Sequence, residues 1–285
     1  MNYIKLMRPK HYIKNFLIFL PLLFSGIFFD ENNILTCLLG FICFSLISST
    51  IYIINDIMDK DKDKKHKTKC ARPIASGKIS VKNAIIFDIL LIVIVALICI
   101  LGKFNILSIC LILLYFVLNL IYSFGAKNIP ILDIVILVSG FFIRVLFGAT
   151  LLNISVSNWL YLTVIAVSFY LGLGKRRNEI IKCGVKSRKV LEYYNKDFLD
   201  KNMYMCLAMT IVFYSLWTTD SAVVLKNNNL LIWTVPMIIV ISMRYSMNIE
   251  GNSDGDPVEV IMKDKILIFL GLIYVISLFI ILYLV

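Results

Sequence analysis

Histidine is almost missing from this chain: His11 and His66 are the only two in 285 residues. A catalytic Ser-His-Asp arrangement or a histidine-rich metal site therefore has little to draw on. The seven cysteines include no C-x-x-C pair and mostly fall in apolar runs, which argues against both a zinc site and a disulfide framework. Charged residues make up only 16% of the positions and are concentrated in a few loops. Nothing resembles a P-loop or a dinucleotide-binding glycine fingerprint. No short-period repeat or Gly/Ser-rich linker divides the chain, so 1–285 reads as a single domain. The first apolar run is flanked by Lys14, contains Pro21 and lacks a small-residue cleavage site before Asp30, so it is expected to be a retained span.

Apolar sequence fills the space these absences leave. The chain is 60% hydrophobic with a mean hydropathy of +0.86. Apolar runs occupy 13–29, 34–54, 84–101, 106–124, 129–151, 159–173, 203–219, 230–243 and 266–285. Most approach the ~20 residues a helix needs to cross a bilayer, the sixth and eighth being short. Backbone groups in hydrocarbon must be satisfied within their own segment, so the runs predict helices. The fold class expected is all-α: a polytopic membrane protein of about nine transmembrane helices.

Lysine and arginine then orient it. Nine of them lie between Lys60 and Lys82 and nine more between Lys175 and Lys201, whereas the four loops on the opposite side hold only Lys103 and Lys226. The positive-inside rule places the N-terminus and the loops near 56–82, 127, 174–202 and 244–265 in the cytoplasm, with Val285 outside. The net charge of +11 accordingly reads as topology plus attraction to anionic lipid or phosphate, with no nucleic-acid partner. Oligomeric state is not indicated.

The second apolar run ends in an acidic stripe. Continued as a helix, Asp56, Asp59 and Asp63 fall at i, i+3 and i+7, within an arc of roughly 60°. Three carboxylates on one face repel one another unless a cation sits among them. Hard oxygen donors suit Mg²⁺, which takes one or two carboxylates and completes its shell with water and substrate phosphates. The alternative is a solvated charge run at the end of a span.

The remaining chemistry-bearing residues gather on the same predicted side. The loop continues through His66, Thr68, Lys69, Arg72, Pro73 and Gly77. A second group holds Asn119, Tyr122 and Lys127, with Asp133 just beyond. A third is Lys175, Arg176, Arg177, Asn178 and Glu179. A fourth holds Asp256, Glu259 and Asp264, which a solvated loop explains equally well. Carboxylates for a metal, set among Lys and Arg, suit a substrate that carries a diphosphate. Arg144 lies about mid-bilayer in the fifth run, where a charge signals a polar interior. Asp133 is about 16 Å away along the axis, so Arg144 needs a partner from another helix or an anionic ligand.

These residues carry a resemblance to the UbiA superfamily of intramembrane prenyltransferases. The N-D-x-x-D-x-x-x-D signature stands at 55–63 and R-P-x-x-x-G at 72–77, and the likeness extends over nearly the whole chain. It implies a helical bundle around a central cavity, capped by cytoplasmic loops and open sideways to lipid. It also implies that Asp56, Asp59 and Asp63 bind Mg²⁺-diphosphate with Asn55 in support.

The chain departs from the common pattern in two places. Where most members carry a second D-x-x-x-D motif, it has the basic 174–179 stretch, and the spacing of Tyr122 and Lys127 is one residue longer than the family's Y-x-x-x-K. With Arg8, Pro9, Lys10, Lys14, Asn15 and Gly140 to Arg144, these departures resemble the decaprenyl-phosphate phosphoribosyltransferases. That likeness implies transfer of phosphoribose from phosphoribosyl diphosphate to a polyprenyl phosphate, with Asp56, Asp59, Tyr122 and Lys127 as catalytic residues. Lys14, Asn15, Asn55, Lys69, Arg72, Asn119, Arg144, Lys175, Arg176 and Glu179 become the substrate contacts, while Arg177 reads as topological charge. Prenyl transfer from an allylic diphosphate is the second reading. A transporter is the third, disfavoured because nearly all polar groups lie on one side.

Overall fold

Polar residues at the ends of the apolar runs set where the helices begin. Asp30 accepts a hydrogen bond from the Asn32 amide and opens one long helix, and Ser80 caps another through the Asn83 amide. Asn195, Asp256 and Asp264 cap three more in the same way. The computed structural model describes residues 2–65, 69–184, 188–221, 223, 229–251, 253 and 255–284, and among these no strand occurs. The chain forms two units: 1–22, 27–124 and 143–154 in the first, 23–26, 125–142 and 155–285 in the second.

The first unit opens with α1 (Asn2–Met7), a 3-10 segment (Pro9–Phe19) and the start of α2 (Leu20–Ser25). It continues with α3 (Glu31–Met58), α4 (Lys60–Lys64), α5 (Val81–Leu101) and α6 (Ile106–Phe124), and takes the later part of α7 (Leu132–Leu151). Its core joins Ile18, Phe44, Ile47, Tyr115, Ile143 and Phe147. A second cluster of Leu6, Ile53, Ile74, Ala84 and Leu91 packs α1 and α5 on α3. Two glycines permit backbone-level contact here. A Cβ on Gly148 would lie 2.1 Å from the Ile18 carbonyl oxygen, and one on Gly40 would lie 2.3 Å from a Leu151 methyl.

The second unit takes the start of α7, then α8 (Asn158–Cys183), α9 (Lys196–Thr218), α10 (Val235–Glu250), α11 (Pro257–Lys263) and α12 (Lys265–Tyr283). Helices α8 and α9 pack along their length, and an apolar groove of about 390 Å³ lined by Phe169, Leu173, Cys206 and Met209 follows them. Ile134, Tyr170, Leu199, Met203 and Ile249 form the core.

Six helical stretches among the described residues are long and apolar enough to cross a membrane: α3, α5, α6, α7, Leu230–Glu250 and α12. The other three runs take different forms. Residues 13–29 are split between the 3-10 segment and α2, and the helix ends at Ser25. The runs at 159–173 and 203–219 lie inside α8 and α9, which extend into charged sequence at Lys175 to Lys182 and at Lys196 to Lys201. The helix expected to run straight through the acidic stripe instead breaks at Asp59, whose φ and ψ of −91° and 7° leave the helical region. Main-chain bonds bridge the break, from Asp59 to Asn55 and from Asp63 to Asp59.

Candidate active site

Despite that break, Asp56 and Asp63 reach one cation. Arg72 donates to Asp56 Oδ1 at 3.0 Å and to Asp63 Oδ2 at 2.6 Å. Arg8 also bonds Asp56 Oδ1. Both carboxylates are buried, whereas the two arginine side chains remain 22% and 27% exposed and so form the lid over them. Arg72 comes from the loop that R-P-x-x-x-G marks. Arg8 comes from the N-terminal arm, where φ 55° and ψ 59° put it in the left-handed region. Such a conformation costs a non-glycine residue about 1–3 kcal/mol and persists only when contacts over-determine it. Here those contacts are Asp56 and the Tyr52 ring, 4.9 Å beneath the guanidinium carbon. Burial lowers the Arg8 pKa against the opposing pull of Asp56, and Arg72 lowers it further.

Asp59 is more exposed than this pair. Its side chain is 27% exposed and meets Lys62 at 3.8 Å. Among the described residues no group of three or more His, Cys, Asp or Glu is gathered to hold a metal ion. Two carboxylates that converge on one cation nevertheless fit Mg²⁺, which needs only one or two when phosphates and water complete its shell. Asn55 is half-buried beside them, Lys69 is exposed, and His66 and Thr68 lie outside the described residues.

A polar seam leads inward from Asp56 along α3. Ser45, Ser49, Tyr52 and Asp56 recur at helical spacing on one face, and the 3-10 segment meets them in turn. Tyr12 bonds Ser49 at 2.7 Å, His11 packs on Tyr52, and Asn15 donates to Ser45 at 2.9 Å. Asn15 then accepts from Arg144 Nε at 2.7 Å, and Arg144 Nη2 donates to the Tyr115 hydroxyl at 3.0 Å. The guanidinium carbon lies 4.9 Å from the Phe44 ring centre and 4.8 Å from that of Tyr115. The partner Arg144 requires therefore comes from other elements, and Asn15 is a buried support for it. Lys14 is half-buried in the same segment. Asn119 bonds the Tyr115 carbonyl at 2.8 Å, one turn before the half-buried Tyr122.

The second unit uses its arginines internally. Arg176 is wholly buried, with Nε on Asp133 at 2.6 Å and Nη1 on Glu179 at 2.7 Å. Tyr194 donates to the other Asp133 oxygen at 2.7 Å. Burial and that bond push the Tyr194 phenol up to about 12. Burial would raise the Glu179 carboxyl, but Arg176, Arg188 and Lys175 outweigh it and hold it below the usual range. Arg177, read as topological charge, is buried against Asp200, because α9 returns alongside α8. Lys175 meets Asp256 at 3.4 Å, and Lys127 is half-buried. Asp264, read as a loop residue, caps α12 and binds Arg244 and Asn248, which hold its carboxyl well below the ordinary range. Glu259 stays on the surface with Lys263.

Residues 16–263 match the UbiA prenyltransferase family. The chain belongs to that family. It is 32% identical to the decaprenyl-phosphate phosphoribosyltransferase of Corynebacterium glutamicum over 95% of this chain and 84% of that protein. The enzyme of the same name from Mycolicibacterium smegmatis is 31% identical over 95% and 89%. In fold it is similar to a UbiA homolog from Archaeoglobus fulgidus solved with GPP and Mg²⁺, with a TM-score of 0.73, 16% identity and 99% of each chain covered. As a UbiA-family transferase with six apolar spanning helices among its described residues, this is a multi-pass membrane protein. Sequence reasoning named Arg8 only as part of a pattern and missed Tyr115, Asp200 and Tyr194.

Proposed function

We propose that the chain moves the 5-phosphoribosyl group of phosphoribosyl diphosphate onto a polyprenyl phosphate. The observation that carries this reading is the convergence of Asp56 and Asp63 under the lid of Arg8 and Arg72. Full-length similarity to two phosphoribosyltransferases supports the choice of donor. Asp56 and Asp63, with Asp59 nearby, would hold Mg²⁺, which when bound offsets charge on the diphosphate.

The chain's own residues do the rest. Arg72 and Arg8 offer guanidinium forks matched to phosphate oxygens, with Lys69 and Tyr122 as further contacts. Such fixed cations stabilise the diphosphate more as it departs, because its charge grows while the C1–O bond breaks. The acceptor oxygen is already anionic, so it attacks C1 with no general base to remove a proton. Arg176 contributes by fixing Asp133 and Glu179, since its guanidinium has no exposed surface. Asn119, and Arg144 with Asn15, shape the polar interior, and Lys14 lies at its mouth. The reading includes one UbiA-like domain over 1–285, about nine spans, a cytoplasmic N-terminus and loops, and Val285 outside.

The experiment supplies labelled phosphoribosyl diphosphate, Mg²⁺ and polyprenyl phosphate to purified protein in detergent and counts lipid-extractable label, with EDTA as control. EDTA-sensitive transfer supports the proposal. Prenyl transfer from an allylic diphosphate to an aromatic acceptor, with no phosphoribosyl transfer, replaces it by the second reading, which the GPP-bound fold neighbour favours. Failure of both leaves another donor or lipid acceptor, or the transporter reading.

A further inference from the structure

Two positive and two negative charges balance at the acidic motif. Asp56 and Asp63 are buried; Arg8 and Arg72 share Asp56 Oδ1, and Arg72 also takes Asp63 Oδ2. A divalent ion arriving alone would add two charges to a site already neutral, beside two guanidiniums that repel it. A divalent ion arriving with a diphosphate brings its own negative charge and gives a displaced guanidinium a new anionic partner.

The two arginines differ in how readily they can leave. Arg72 bridges both carboxylates from the adjoining loop. Arg8 holds Asp56 alone, from a separate arm whose backbone is left-handed at that residue. Losing Asp56 would let this backbone relax, while the Tyr52 ring keeps the guanidinium near.

We infer that Arg8 is the counter-cation a divalent metal displaces from Asp56, so that the site takes metal together with a diphosphate and holds bare metal poorly. Arg8 is then a positioning residue that couples two ligands, and the inference rests on the proposed metal-dependent transfer. The coupling is reciprocal: pyrophosphate raises metal affinity by the factor by which metal raises pyrophosphate affinity.

The test measures Mn²⁺ binding to the full chain in detergent by electron paramagnetic resonance, with and without inorganic pyrophosphate. Wild type is expected to bind Mn²⁺ about 5–150-fold more tightly with pyrophosphate. Arg8→Gln is expected to tighten binding of bare Mn²⁺ and to reduce that coupling, whereas Arg8→Lys keeps more of it. Bare-metal affinity unchanged or weakened in Arg8→Gln overturns the inference. Should Arg8→Gln not fold, the wild-type comparison decides alone, and equal Mn²⁺ affinity in both conditions overturns the inference. Phosphoribosyl transfer measured in parallel separates the two ideas, because an active, metal-dependent enzyme without the coupling leaves the function standing and removes this role of Arg8. Absence of Mn²⁺ binding in every arm removes both.

Discussion

Arg176 and Asp133 form an ion pair with no solvent-exposed surface on either side chain, closed by a 2.6 Å bond from the guanidinium Nε. Glu179 takes a second guanidinium nitrogen and Tyr194 the second carboxylate oxygen, so the pair is satisfied from both ends. Removing one member of such a pair costs about 3–5 kcal/mol, while replacing both by apolar groups is often neutral. Asp133→Ala should therefore lower the unfolding temperature in detergent sharply. Asp133→Leu combined with Arg176→Met should recover much of that loss, because Glu179 keeps Arg188 within 3.9 Å. A double variant as unstable as the single one would show that the pair does more than satisfy itself.

The acidic motif predicts an unequal series of rates. Asp56 and Asp63 meet on Arg72, whereas Asp59 faces Lys62. Asp56→Asn and Asp63→Asn should each cut turnover at least about a hundredfold with the protein still inserted, and Asp59→Asn should cost less. Chelation with EDTA should silence wild type, and added Mg²⁺ should restore it. An Asp59 variant more damaged than both neighbours, measured at saturating donor, would reverse the assignment.

The sequence made some of this legible, for identifiable reasons. Helical spacing at 56 and 63 survived the break at Asp59 because main-chain bonds carry the chain across it. The mid-span position of Arg144 announced a buried partner, and the 16 Å separation along the helix excluded Asp133, which is held by Arg176 instead. Long-range choices left no local trace. Asp133 and Arg176 are 43 residues apart, and Arg8 and Asp56 are 48 apart. No periodicity distinguishes a loop arginine that will be buried from one that stays in water, which is why Arg177 looked like topological charge. Hydropathy also cannot tell a 3-10 segment from an α-helix, so the tighter form of Pro9–Phe19 left no mark in the apolar run.

Alkaline pH should weaken the Asp133 cluster through Tyr194. Burial and the bond to Asp133 raise its phenol from 10.0 to about 12. A group whose folded pKa is raised contributes stability that is fully present below its unfolded value and is lost as pH rises through the folded one. The stability advantage of wild type over Tyr194→Phe should therefore be constant below pH 10 and shrink between 10 and about 12. Unfolding followed across that range checks it, and an advantage that grows with pH contradicts it.

Asp88 offers the opposite experiment, a substitution that should improve the protein. It lies in α5, a turn after Ala84 and before Leu91, on the face that packs in the apolar cluster with Leu6 and Ile53. Its Oδ1 is buried with no hydrogen-bond partner among the described residues. Leaving a buried polar atom unsatisfied costs about 1–3 kcal/mol, and no contact described above returns it. Asp88→Leu should raise the unfolding temperature in detergent, while Asp88→Asn, which keeps a polar group in the same place, should gain less. Phosphoribosyl transfer should be unchanged in both, because Asp88 touches none of Arg8, Asp56, Asp63 or Arg72. Lower stability in both variants would mean that the carboxyl finds a partner in the membrane-embedded protein and is part of a site.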